Sequence, residues 1–127
     1  MILVPISTGE LIDKITILEI KCLKLLGKQL DNCKKELISL NSIIKENQIS
    51  TDEELINQLR IVNNKLWDIE DKIREKEREK LFDESFIELA RSVYIENDKR
   101  SKIKRLINLQ TNSEFIEEKS YQEYKAI

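Results

Sequence analysis

An all-α fold follows from three observations on this chain. Its 127 residues hold only 2 Gly and 1 Pro, so helix breakers are rare. Apolar residues recur at alternating three- and four-residue spacing along two long stretches, the period of a helix stripe and of a coiled coil. Aromatics are 6% of the chain and charged residues 36%, a balance that suits long solvated helices better than a sheet. The predicted architecture is a long antiparallel helical hairpin plus a third helix, with extended N- and C-terminal segments. By length, residues 1–127 form a single helical-bundle domain.

Residues 1–6, Met-Ile-Leu-Val-Pro-Ile, read as an extended lead-in or a short edge strand. Ser7-Thr8-Gly9-Glu10 fits a capping box, in which the Ser7 hydroxyl accepts from the N–H of residue 10 and the Glu10 carboxylate from that of residue 7. Ile12, Ile15, Glu19, Cys22, Leu26, Leu30, Cys33, Leu37, Leu40 and Ile44 then hold one phase. That phase predicts one helix from 8 to about 46, roughly 58 Å long. A break near Gly27–Asp31 is the alternative, since glycine weakens a helix interior by about 1 kcal/mol. Ile17 and Ile20 fall off the main line, so this part packs on more than one neighbour.

Asn47-Gln48-Ile49-Ser50 is the turn, and Thr51-Asp52-Glu53-Glu54 a second capping box. The next helix runs from 52 to about 81 with a seam of Leu55, Leu59, Val62, Leu66, Ile69 and Ile73. Its end, residues 74–80, alternates in charge and is a solvated face. Asp83 caps a third helix from 84 to about 109, whose apolar face carries Phe86, Leu89, Val93, Ile103 and Ile107. The tail, 114–127, holds Phe115, Ile116, Tyr121 and Tyr124, enough apolar surface to pack across the bundle, beside residues 1–6 in the simplest arrangement.

Charged residues on these seams are the functional signal. Glu19 occupies a seam position, Glu70 and Glu77 flank the second seam, and Asn97, Arg100 and Lys104 interrupt the third. Ions on a buried face are costly unless paired. With Arg74 and Arg91 they form one of two things: a salt-bridge network that sets register, or a cleft in which guanidinium forks hold a small anion. In the second case Glu70 or Glu19 orients the clamps or accepts a proton. The candidate ligand-binding set is Glu19, Glu70, Arg74, Arg91, Asn97, Arg100 and Lys104. Trp67, beside the seam, is a core anchor or a partner contact.

Composition narrows the classes. A formal charge of −2, from 22 basic and 24 acidic residues, gives no general drive toward nucleic acid or anionic membrane. The stripe Lys99, Arg100, Lys102, Lys104 and Arg105 lacks interleaved aromatics for base stacking, so nucleic acid is disfavoured. Without His there is no base for a serine nucleophile, and no Gly-rich phosphate loop or zinc-type ligand set occurs, so no cofactor or metal is expected. Asp68, Glu70, Asp71 and Glu75 read as a solvated acidic face, because no second acidic pair is suitably placed for magnesium. Cys22 and Cys33, roughly 16 Å apart on one helix, are expected reduced, consistent with a cytoplasmic protein. Neither a leader nor a membrane span is expected.

Four stretches also carry a resemblance. They are Ile6-Ser7-Thr8-Gly9-Glu10-Leu11-Ile12-Asp13-Lys14-Ile15-Thr16-Ile17-Leu18-Glu19-Ile20-Lys21, Leu66-Trp67-Asp68-Ile69-Glu70-Asp71-Lys72-Ile73-Arg74, Leu89-Ala90-Arg91-Ser92-Val93-Tyr94-Ile95-Glu96-Asn97-Asp98-Lys99-Arg100 and Glu117-Glu118-Lys119-Ser120-Tyr121. As a set, spanning nearly the whole chain, they resemble a family of short bacterial and phage proteins of unassigned function. The resemblance implies a complete stand-alone module and brings no catalytic residues with it. In architecture alone the chain is similar to the all-helical chorismate mutases, from which it departs in having no Arg on its first helix. Two readings stand: a non-enzymatic helical interaction or assembly module, forming a homodimer or larger assembly, and a small enzyme or binder acting on an anionic metabolite.

Overall fold

The computed structural model describes residues 1–125. The chain is all-α, with helices α1 (Thr8–Lys24), α2 (Gly27–Glu46), α3 (Glu53–Glu79) and α4 (Glu84–Gln110). The expected first helix is therefore two, and the break expected near Gly27 as the alternative is the one taken. Leu25 and Leu26 are both extended, and Gly27 starts α2 at φ 61°, a left-handed conformation that glycine adopts without strain. Two extended residues turn the chain, so α2 folds back along α1 until Ile44 packs against the cluster that holds Ile12. The three-rod hairpin expectation is corrected accordingly: the α2 backbone lies beside α1 and approaches neither α3 nor α4.

Helices α3 and α4 run antiparallel. As the α3 position falls from Lys65 through Asn63 to Asp52, its α4 partner rises from Glu96 through Arg100 to Gln110. Helix α1 lies across both. Its buried Leu11, Ile12, Ile15, Leu18 and Ile20 point in several directions, as the off-seam isoleucine suggested. The core joins Ile12, Leu59 and Ile107, with Ile44, Leu55, Ile56 and Ile103 packed around them.

Helix starts show where local and tertiary demands compete. Ser7 accepts from Glu10 N–H at 3.1 Å, as expected. The reciprocal half of that box does not form, because the Glu10 carboxylate pairs with Lys104 at 2.6 Å. Thr8 and Gly9 N–H groups donate to Ser113 Oγ at 3.1 Å and Asn108 Oδ1 at 2.6 Å, so the first turn of α1 is completed by residues at and just beyond the C-terminal end of α4. The cap of α3 is Asp52, accepting from Glu54 N–H, not Thr51, whose hydroxyl is buried without a partner. Asp83 caps α4 by accepting from Phe86 N–H.

Residues 1–6 form neither helix nor strand. The tail starts beside Thr8, through Ser113, and then runs back along α4 rather than beside residues 1–6. Glu118 pairs with Arg105, and Tyr124 donates a hydrogen bond to Asp98 while packing edge-on to Tyr94. That contact holds the Tyr124 phenol up to about 12, chiefly through its hydrogen bond to Asp98. Residues 126 and 127 of the tail lie outside the described residues.

Candidate functional site

A buried polar relay joins α1, α3 and α4. Asp13 and Thr16 lie among the apolar residues of α1, a helix covered on most sides, so they are buried with them. Thr16 Oγ1 donates to the Asp13 carbonyl at 2.8 Å. Asn63 Nδ2 donates to Asp13 Oδ1 at 2.8 Å and to Thr16 Oγ1 at 2.9 Å. With its amine spent there, Asn63 turns Oδ1 toward Arg100, whose Nη1 donates to it at 3.4 Å. On the other side Asp13 faces Lys104 Nζ at 3.8 Å. Lys104, with a side chain only 9% exposed, is held by Glu10 at 2.6 Å and by Glu117 of the tail at 3.3 Å. The relay satisfies the charges that burial would otherwise penalise. The Glu117 carboxyl is drawn below its ordinary range by the Lys119 hydrogen bond first and the Lys104 charge next, against the opposing effect of desolvation.

Beside this relay opens a cleft of about 440 Å³. Asn63, Leu66, Trp67, Glu70, Asp71 and Arg74 line it from α3, Ile17 from α1 and Arg100 from α4. Positions 63, 66/67, 70 and 74 share one helix face by their spacing, which is why one stripe of α3 supplies most of the wall. Arg74 Nη1 reaches Glu70 Oε2 at 2.9 Å within that stripe. Arg100 is half-buried, yet no carboxylate among the described residues lies within ion-pair distance of it.

The structure thus divides the seven residues that the sequence singles out. Glu70, Arg74 and Arg100 share the cleft, and Lys104 joins Arg100 through Asp13 and Asn63. Glu19 is separate, receiving Arg60 Nε at 2.9 Å. Arg91 is exposed and Asn97 half-buried, and neither side chain has a hydrogen bond among the described residues. A different acid is buried on α4: Glu96, which takes Lys65 at 3.0 Å and Lys99 at 3.1 Å. Burial pushes its carboxyl up, but the hydrogen bonds and charges of the two lysines outweigh that and leave it below the usual range. A larger space of about 800 Å³ separates α4 from the tail. Of its cations, Lys104, Arg105 and Lys119 are matched by Glu117 and Glu118, Lys99 pairs with Glu96, and Lys102 has no ion pair among the described residues.

Asp13, Thr16 and Asn63 carry the relay and are not among those seven. A signal for them exists. Asn63 lies four residues after Leu59 and three before Leu66, on the seam itself, and Asp13 and Thr16 sit inside the apolar-rich stretch Leu11–Ile20. Arg60 gives no such signal, because only the crossing of α1 over α3 brings it to Glu19.

Residues 2–126 match the model of a family of unknown function, DUF6165, and the chain belongs to that family. No curated protein and no solved structure matches it. No helix among the described residues is long and apolar enough to cross a membrane.

Proposed function

We propose that this protein is a non-enzymatic helical assembly module whose partner is a second copy of the same chain. One observation carries the reading: α2, a helix of 20 residues, contains no buried residue. Helices in proteins owe most of their stability to packing of an apolar face rather than to propensity. The stripe Leu30, Cys33, Leu37, Leu40 and Ile44 is only half-covered by α1, and Ile38 is 68% exposed. At the α1–α2 corner Leu23 and Leu26 are more than four-fifths exposed, and Met1–Val4 are exposed as well. Apolar side chains left uncovered in this number favour association. Homo-oligomers are mostly closed and two-fold, which makes a dimer the expected state.

Light scattering across a dilution series tests the proposal. The expected mass is twice the 15.0 kDa of one chain at micromolar concentrations and above. The double variant Leu23→Glu/Ile38→Glu is expected to run as a folded monomer. A wild-type chain that stays monomeric at the highest concentrations would remove the proposal.

A further inference from the structure

The cleft between α1, α3 and α4 has features that self-association does not use. Arg100 is half-buried and lacks a carboxylate partner among the described residues. Its one hydrogen bond goes to Asn63 Oδ1, at 3.4 Å. Asn63 is not free to turn, because its amine is held by buried Asp13 and Thr16. The guanidinium is therefore steered into the cleft by a fixed neighbour and retains most of its donors. Arg74 spends one nitrogen on Glu70 and has others to offer. Trp67 and Ile17 form an apolar wall beside these groups.

We infer that this cleft binds a small organic monocarboxylate, its carboxylate on Arg100 and its carbon body against Trp67 and Ile17. A guanidinium fork matches a planar carboxylate with two parallel hydrogen bonds. The cleft, about 440 Å³, falls within the range of small-molecule sites. Charge selects among anions. Glu70 and Asp71 balance Arg74 and Arg100 around the opening, so the single negative charge of a carboxylate is accommodated more readily than the two of a dianionic phosphate. Polyanions are disfavoured for the same reason. The inference is independent of self-association, since none of these groups lies on α2, at the α1–α2 corner or in residues 1–6.

Trp67 is the sole tryptophan, so its fluorescence reports directly on the cleft. The full-length chain is titrated with 3-phenylpropionate at constant ionic strength, with 3-phenylpropan-1-ol and phenyl phosphate as comparisons. The expected result is a saturable change with a dissociation constant on the order of 1 mM, the range for one ion pair plus a small apolar contact. Weaker or no binding is expected for both comparison compounds. Arg100→Gln is expected to weaken 3-phenylpropionate at least about tenfold, whereas Arg91→Gln, outside the cleft, leaves it unchanged. If Arg100→Gln does not fold, amide shifts of the wild-type chain decide. Perturbations centred on Ile17, Trp67 and Arg100 support the site. A flat titration, equal binding of the alcohol, an unaffected Arg100→Gln protein or shifts centred elsewhere would overturn it.

Discussion

Helices α1 and α2 are successive pieces of one continuous apolar pattern, yet they meet opposite fates. In α1, 8 of 17 residues are buried, two of them the polar Asp13 and Thr16. In α2, none of 20 is. Both carry apolar stripes of helical period, so periodicity does not separate them. The difference lies in the number of neighbours. α1 packs against α2, α3 and α4, while the α2 backbone approaches α1 alone. A stripe says which face a helix wants to bury; only the surrounding elements determine whether that face, or the whole circumference, is covered.

A pair of truncations can break this comparison. Ile12→Ala removes a core residue joined to Leu59 and Ile107 and is expected to cost about 3 kcal/mol. Ile38→Ala, on the open side of α2, is expected to change stability by less than about 0.5 kcal/mol in dilute solution. Denaturant melts measure both. Similar costs at low concentration would mean that α2 is packed as tightly as α1. A cost for Ile38→Ala that grows with protein concentration would instead report its cover by a second chain.

The contact between α1 and α4 is sharpened by Gly9→Ala. A Cβ at Gly9 would lie 2.6 Å from the Lys104 carbonyl oxygen and 2.9 Å from Asn108 Oδ1. Backbone blocks it, so α1 must move away from α4 and the Gly9–Asn108 hydrogen bond weakens. The expected loss is about 1–3 kcal/mol, read by thermal melting. The equivalent change at Gly27 has open space around it and meets only the cost of positive φ.

The smallest effect concerns acid stability. The Glu96 carboxyl titrates below its ordinary value of 4.5 in the folded chain. A lowered folded value means the unfolded chain binds the proton more readily. The stabilisation is therefore present above pH 4.5 and is lost as pH falls through the folded value. Melts between neutral and strongly acidic pH should show Glu96→Gln less stable than wild type near neutrality, with the gap closing in acid. A gap that widened in acid would contradict the assignment.

Part of the candidate site was legible before any coordinates. Interrupted apolar lines do mark the α1/α3/α4 junction: Arg100 and Lys104 reach it from α4, and Glu70 and Arg74 border it from α3. Glu19, by its seam position, and Arg91, as a cation on the third helix, are candidates too, yet one meets Arg60 and the other faces solvent. Heptad position fixes an angle around one helix but not the crossing of another, and a long side chain at a crossing reaches whichever neighbour the crossing supplies. The capping boxes teach the same lesson on a smaller scale. Ser7 holds its local partner, while the Glu10 carboxylate goes to Lys104, because a buried ammonium left unpaired carries a larger penalty than a neutral backbone N–H.

Composition, period and capping residues by themselves determined that the chain is helical, where α3 and α4 begin to within a residue and which stripe each presents, because those properties arise from contacts within one turn or two. The tertiary structure decided that the first rod folds back at Leu25–Leu26, that Asp13 rather than Glu19 is the buried acid of α1, and that Gly9 is needed for closeness. Those outcomes depend on groups distant along the chain, whose separations no local pattern encodes.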